Sequence, residues 1–380
     1  MINTTAHQTW LLSQPTCQRT LAGICRIPKP GGSTVPDKTH HEGRKRSRQS
    51  KAGCTASWIA LLCLGAGPVA QATARPAETA LHAAYDRATG RATITEAGKP
   101  VLGYIYQENP VPAGFFDGMD GKKEKSARRY AVPRSDYIHP LYGIDGTPLT
   151  TDWSKDHAHH RGIYWAWPEV GFGGETGDLH ALQQVWARPT GKLHTRHGDG
   201  WAEIEAENRW MWKDRTPIVL ETAIIRAWRT DGQQRRIDLT LRFEALVDGV
   251  TLARRGTKTY GGLNIRLAPI ADLRLIHHVD PEGTSPRMAW QAAVGLWKGA
   301  VGPASMTVFE PSSNPGYPAD YIEYPALPWF QPTFPRAGTK HALEPGRPLT
   351  LRYGICLRSG APPSVEELRA AWRIYQQLPQ

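Results

Sequence analysis

The sequence predicts an all-β protein, an antiparallel β-sandwich closed by one short C-terminal helix. Three observations predict it: runs of alternating apolar and polar residues, turn residues at short intervals between those runs, and one capped helical pattern at the end of the chain. In the run from Arg236 to Leu246, Ile237, Leu239, Leu241, Phe243 and Ala245 alternate with polar residues, so one face packs while the other is solvated or lines a groove. Residues 91–96, 203–212, 218–228 and 349–357 alternate in the same way, and Thr230-Asp231-Gly232 and Pro281-Glu282-Gly283 read as turns. This spacing belongs to an antiparallel sandwich or barrel and not to alternating β–α units.

Residues 1–74 read as a leader. The basic run Arg44-Lys45-Arg46-Ser47-Arg48-Gln49-Ser50-Lys51 precedes an apolar core at about 58–69, and Ala70-Gln71-Ala72 or Ala72-Thr73-Ala74 offers an A-x-A cleavage site near residues 72–75. The expectation is an exported protein, periplasmic or extracellular, with residues 75–380 forming one domain. The apolar run is shorter than the roughly 20 residues a spanning helix needs, and no later segment qualifies. The formal charge of +11 also resolves here: residues 1–74 hold nine Lys/Arg and two Asp/Glu, so they carry +7 and the remainder 11 − 7 = +4. A basic surface for nucleic acid or anionic membrane is therefore not indicated in 75–380, and nucleic-acid motifs are absent. Four of the five cysteines lie in the leader; Cys356, in an alternating run, reads as a packed strand thiol.

The Pro/Gly-rich and then basic segment 110–130, with Lys122, Lys123, Lys125, Arg128 and Arg129, reads as a long surface loop. At the far end, Ser364 caps a helix, Glu367 completes a capping box, and Val365, Leu368, Trp372 and Tyr375 share one face.

Chemistry concentrates at Asp152-Trp153-Ser154-Lys155-Asp156-His157-Ala158-His159-His160-Arg161-Gly162. If this segment is extended, His157 and His159 project on one face and His160 on the other. His157, His159 and His160, with a further ligand from elsewhere, offer a set for one divalent metal (Zn, Cu or Fe). Alternatively, a His held by Asp156 acts as a general acid or base. A surface loop whose His residues merely cap turns is the bland alternative. His277 and His278 offer a further ligand, though their strand setting points to a structural role. Glu175 and His180 follow the Gly-rich Gly171-Phe172-Gly173-Gly174 and are candidates for a loop acid and base; that run lacks the spacing of a dinucleotide fingerprint. Among the Trp pairs 165/167, 210/212 and 290/297, packing accounts for most, while Trp329 in the Pro-bounded run Tyr324-Pro325-Ala326-Leu327-Pro328-Trp329-Phe330 suits a groove mouth, with Asn314-Pro315-Gly316-Tyr317-Pro318 as its rim. Arg266 follows Gly261 and Gly262, where missing side chains admit a close neighbour. It suits a ligand carboxylate or a salt bridge.

The run Tyr137-Ile138-His139-Pro140-Leu141-Tyr142, the element Asp156-His157-Ala158-His159-His160-Arg161-Gly162 and the strand Tyr260-Gly261-Gly262-Leu263-Asn264-Ile265-Arg266 resemble the PmoA-like family of exported bacterial proteins over most of 80–375. The family's name refers to a methane oxygenase subunit, a polytopic membrane protein, and nothing in 75–380 supports that activity. The resemblance implies a galactose-mutarotase-like supersandwich, with the His-rich element and Arg266 lining a concave sheet face, in proteins often encoded near sugar-oxidoreductase and polysaccharide-degrading genes.

The leading expectation is a carbohydrate-active enzyme doing His-assisted acid/base chemistry (hydrolysis, elimination or epimerisation) on a sugar or oxidised sugar. His157, His160 and Arg266 are its catalytic candidates. His139, Arg161, Trp165, Trp167, Glu175, His180, Asn314 and Trp329 are its substrate-binding candidates. A metal-dependent oxidoreductase and a non-catalytic sugar-binding module are the alternatives.

Overall fold

The computed structural model describes residues 80–278 and 287–378, all within one compact unit, Gln71–Gln380. The leader with its cleavage site and the turn at 281–283 lie outside the described residues. Alternation becomes strand wherever it was expected. The run at 236–246 forms Gln234–Ala245, whose inward residues Ile237, Leu239, Leu241 and Phe243 are at most 1% exposed. It pairs antiparallel with Thr216–Trp228 on one side and Leu349–Ser359 on the other. The Thr230–Gly232 turn joins the first of these pairs, with Thr230 and Asp231 side chains holding the backbone of the bend.

Among the described residues the strands form three sheets. In the nine-stranded sheet, Leu81–Asp86, Arg91–Glu96 and Lys99–Ile105 lead to Tyr137–Leu141 and Ile163–Ala166. Gly262–Arg266, Trp329–Thr333, Ala319–Tyr324 and Arg287–Met288 complete it. The eight-stranded sheet carries the long strands Val185–Gly198, Trp201–Trp212, Thr216–Trp228, Gln234–Ala245 and Leu349–Ser359. A smaller sheet of four contains the hairpin Glu169–Phe172 and Glu175–Gly177.

The two large sheets share one apolar core. Trp165, from the nine-stranded sheet, donates its indole N–H to Glu221 Oε1 of the eight-stranded sheet at 2.7 Å, and Trp210 donates to Oε2 at 2.6 Å. Burial, with the charge of Asp136 adding to it, pushes the Glu221 carboxyl well above its usual range. Trp167 packs against Trp210 and Phe243. Trp165 and Trp167 are therefore core residues, at most 1% exposed, and neither lines the cleft described below. Trp210, Trp212, Trp290 and Trp297 are buried as well.

Two helices frame the described residues. Val365–Gln377 (α2) has the expected capping box, Ser364 with Glu367, and buries Leu368 and Tyr375. Gly121–Tyr130 (α1) corrects the reading of 110–130 as loop throughout. Asp120 accepts from Lys123 N at 2.9 Å as its N-cap, and Glu124 pairs with Arg128 one turn on. Its one buried residue is Ala127, so it carries no apolar stripe from which periodicity could find it. No helix among the described residues is long and apolar enough to cross a membrane.

Candidate active site

The His-rich segment is not extended. His160 N–H donates to His157 O at 2.9 Å, closing a turn that folds His160 back onto His157, their rings stacked with centroids 4.8 Å apart. The alternation expected of an extended run is thereby lost, and the rings gather on one side. Beneath them, Asp152 accepts from Arg161 at 3.1 Å, from Tyr137 Oη at 2.8 Å and from Asn109 at 2.9 Å. Arg161 is fully buried, lies over the Trp153 ring and donates to Val132 O. It anchors the loop from below and does not face the cleft. Gly162, at φ +42°, has no room for a side chain, since a Cβ would meet Ile138 O at 2.1 Å.

A second loop, 178–183, brings His180 alongside. Asp178 Oδ1 accepts from Ala181 N at 2.8 Å, and the same carboxylate pairs with Arg255. Arg134 ties the two loops together: its guanidinium donates to the carbonyl oxygens of His159 (3.3 Å), His180 (3.1 Å) and Leu179 (2.8 Å). Sequence reading missed Arg134, because a buried Arg that serves backbone carbonyls follows no local pattern.

The resulting cleft has a volume of about 860 Å³, within the span usual for small-molecule sites. Its walls come from α1, the His-rich turn, the 178–183 loop, the turn at Arg255–Thr257 with Tyr260, and the 324–329 turn. Four Lys/Arg (Lys123, Arg129, Lys155, Arg255) face two Asp (Asp156, Asp178) on its lining. Tyr324 stacks on Trp329 at 5.1 Å and 16°, and Trp329 lies 5.0 Å from His160. Trp329 is thus in the cleft as expected but only 3% exposed, while Tyr324, 40% exposed, offers the open ring.

Three rings converge at the base. His159, His160 and His180 have centroids 4.6, 5.1 and 5.4 Å apart with interplanar angles of 80°, 64° and 89°. One nitrogen from each lies within 4.8 Å of the others. Burial, reinforced by neighbouring positive charge, lowers His159 to about 3 and holds His160 and His180 well below their usual value. His180 Nε2 meets Tyr164 Oη at 2.9 Å. His157 stands outside this group, 36% exposed, with Nδ1 3.4 Å from Asp156 Oδ2. Burial would raise Asp156, but hydrogen bonds with His157 and Arg266 outweigh it and hold the carboxyl well below the usual range. Arg266 donates to Asp156 Oδ2 at 2.7 Å and to Leu327 O, so it acts on the cleft through Asp156. At the other end of the same strand Gly262 lets the neighbouring strand approach, since a Cβ there would meet Pro332 O at 2.9 Å.

Other candidates stand elsewhere. His139 contacts Thr150 Oγ1 at 3.1 Å, is half-buried and is not on the cleft lining. Glu175, on its hairpin, pairs with Lys213 at 2.7 Å and points away from His180. Asn314 is buried against Glu310 and the Arg352 backbone, not on the rim. His277 lies 3.8 Å from Glu323 and His278 beside Trp290, neither near the three rings. Cys356 is a packed strand thiol, pushed up to about 11 by burial.

A family model described as a family of unknown function, DUF6807, matches residues 91–373, well over half of the chain and including every wall of the cleft. The chain belongs to DUF6807. No curated protein matches this DUF6807 chain. Among solved structures it is similar to the GH36 α-galactosidase AgaB from Geobacillus stearothermophilus, at 12% identity and a TM-score of 0.36, covering 73% of this chain and 41% of that one. It is also similar to GH36 α-galactosidase AgaA from the same organism in complex with 1-deoxygalactonojirimycin, at 12% identity and a TM-score of 0.33, covering 73% and 40%. The DUF6807 chain thus spans less than half the length of either enzyme.

Proposed function

We propose that the cleft is the active site of an exported carbohydrate-active enzyme that moves a proton on a sugar, preferentially an oxidised, carboxylate-bearing one. The observation that carries this reading is the company His157 keeps: a partly exposed imidazole whose Nδ1 lies 3.4 Å from Asp156 Oδ2, in a cleft with an open aromatic ring and more Lys/Arg than Asp on its lining. Hydrolysis, elimination and epimerisation all need a positioned group that takes or gives a proton, and a His beside a fixed carboxylate is suited to it near neutral pH. Tyr324 offers a flat face for a sugar ring. The cationic lining favours an anionic substrate over a neutral one.

On this reading Asp156 orients His157, and Arg266 holds Asp156 in place. The resemblance to PmoA-like exported proteins and the leader at 1–74 support export, which predicts a mature N-terminus near residues 72–75 by mass spectrometry of the exported protein.

The test is a screen of uronate-containing oligosaccharides and keto-sugars beside their neutral counterparts. On the substrate found, His157→Ala should lower kcat by about 10²–10⁴-fold, and Tyr324→Ala should act mainly on KM. Equal turnover by wild type and a His157→Ala/Asp156→Asn double variant would overturn the acid/base reading. Binding of the sugar with no turnover of any screened substrate would leave a binding module instead.

A further inference from the structure

We propose that His159, His160 and His180 form a three-histidine site for one divalent transition-metal ion of the zinc type, with an open coordination position toward the cleft. This site goes beyond the proposed activity and does not depend on it.

The first argument is geometric. In a tetrahedral site with metal–nitrogen bonds of about 2.0–2.1 Å, imidazole centroids lie about 5 Å apart. The three centroid separations here, 4.6, 5.1 and 5.4 Å, bracket that value, and the steep interplanar angles are those of rings turned about a common point, not stacked on one another. His157 provides the internal contrast. It stacks on His160 at 28° and does not belong to the converging set. The donor nitrogens lie within 4.8 Å of one another, so closing on an ion to a nitrogen spacing of about 3.4 Å takes up to about 1.4 Å at the widest pair. That is within the reach of side-chain rotation.

The second argument is the state of the donors. Nδ1 of His159 and Nδ1 of His160 are buried with no hydrogen-bond partner; Nδ1 of His157 shares that state, but it faces Asp156 at 3.4 Å and not the converging rings. Leaving two such nitrogens unpaired costs free energy that a bound ion would offset. His180 has its Nε2 taken by Tyr164 Oη, the kind of bond to the other ring nitrogen that fixes a metal-binding imidazole.

The third argument is rigidity. Arg134 bonds the backbone carbonyls of both His159 and His180, so the two ligand-bearing loops are joined whether or not an ion is present. The neighbouring positive charges oppose a cation; Arg161 is paired with Asp152, Arg255 with Asp178 and Arg266 with Asp156, while Arg134 is met by backbone carbonyl oxygens. Three imidazoles and no thiolate or carboxylate make a donor set suited to zinc, copper, cobalt or nickel and poorly suited to calcium or magnesium. Three His ligands with the cleft above them are the pattern of a catalytic site that keeps a position free, unlike a closed structural one.

The experiment is a titration of the chelator-stripped full chain with Co(II), read by its visible d–d bands, followed by displacement with Zn(II). The expected result is one Co(II) per chain, released by one Zn(II). His180→Ala should weaken binding by more than about 100-fold, whereas His157→Ala should change it by less than about threefold. His180→Gln serves alongside His180→Ala, each read on protein with the wild-type far-UV spectrum. Failure of the wild type to bind either ion, or binding retained in both His180 variants, would overturn the site. Because the readout needs no sugar, loss of the carbohydrate reading leaves this result standing, and the converse also holds.

Discussion

Arg134 holds the backbone carbonyl of His180 at 3.1 Å, across 46 residues of chain, and with the same guanidinium holds that of His159. Neither bond involves an imidazole, yet both decide where the imidazoles stand. Arg134→Met should destabilise the protein by about 3 kcal/mol, the cost of three charge-assisted bonds whose carbonyls stay buried. Arg134→Lys should recover little, because one ammonium cannot reproduce a planar fork. Urea unfolding of both variants measures it, and a Lys variant as stable as wild type would contradict the account.

Gly162 sits where a side chain would strike the Ile138 carbonyl at 2.1 Å, at a positive φ besides. Gly162→Ala should cost more than about 3 kcal/mol or prevent accumulation of folded protein. Gly173→Ala is the control, positive in φ but with open space around it, and should cost about 1 kcal/mol. Comparison of soluble yield and melting temperature separates the two.

Glu221 satisfies two buried indoles at once. Glu221→Gln keeps a single acceptor oxygen, so one indole N–H is orphaned, at a cost of about 1–3 kcal/mol; Glu221→Leu orphans both and should cost more. Denaturant midpoints rank the three proteins. A Leu variant more stable than Gln would show that the Glu221 carboxyl contributes nothing to the joint between sheets.

Glu310 is buried, and burial pushes its carboxyl up to about 7 despite bonds from Ala319 N and Asn314. An acid raised on folding stabilises the native state fully below its unfolded value, near 4.5, and that contribution is lost as pH rises through 7. Between those limits the wild type should lose up to about 3 kcal/mol from this group. Glu310→Gln, which imitates the protonated form, should flatten that part of the stability–pH curve. Melting temperatures between pH 4.5 and 8 test it; parallel curves for the two proteins would rule it out.

The sandwich was legible because its signal is local: a strand with one buried face must alternate, and residues 234–245 do so in full view. The final helix was legible for the same reason, since Ser364 and Glu367 are three residues apart. The His-rich turn announced itself by composition, but not its shape. One hydrogen bond, His160 N to His157 O, turns an alternating projection into a cluster. His180 was noticed as a loop acid or base; its place beside His159 depends on Arg134, a contact 25 to 46 residues long that no spacing rule reaches. Arg161 and Gly162 read as part of the chemistry because they adjoin it, yet both serve the loop's foundation. Trp165 and Trp167 misled for a different reason: an indole that stacks on a sugar and one that joins two sheets look alike in sequence. Helix α1 stayed hidden because its face against the protein is a single alanine.

The cleft takes its walls from five separate stretches of chain, whereas the bonds that seat the His residues run beneath it, through Arg134, Arg161 and Asp152. On the proposed function, specificity and chemistry are therefore separable in evolution. A lengthened 324–329 turn or a recharged α1 would reshape one wall without moving an imidazole, so relatives that keep this foundation can diverge widely in what they accept while sharing what they do to it.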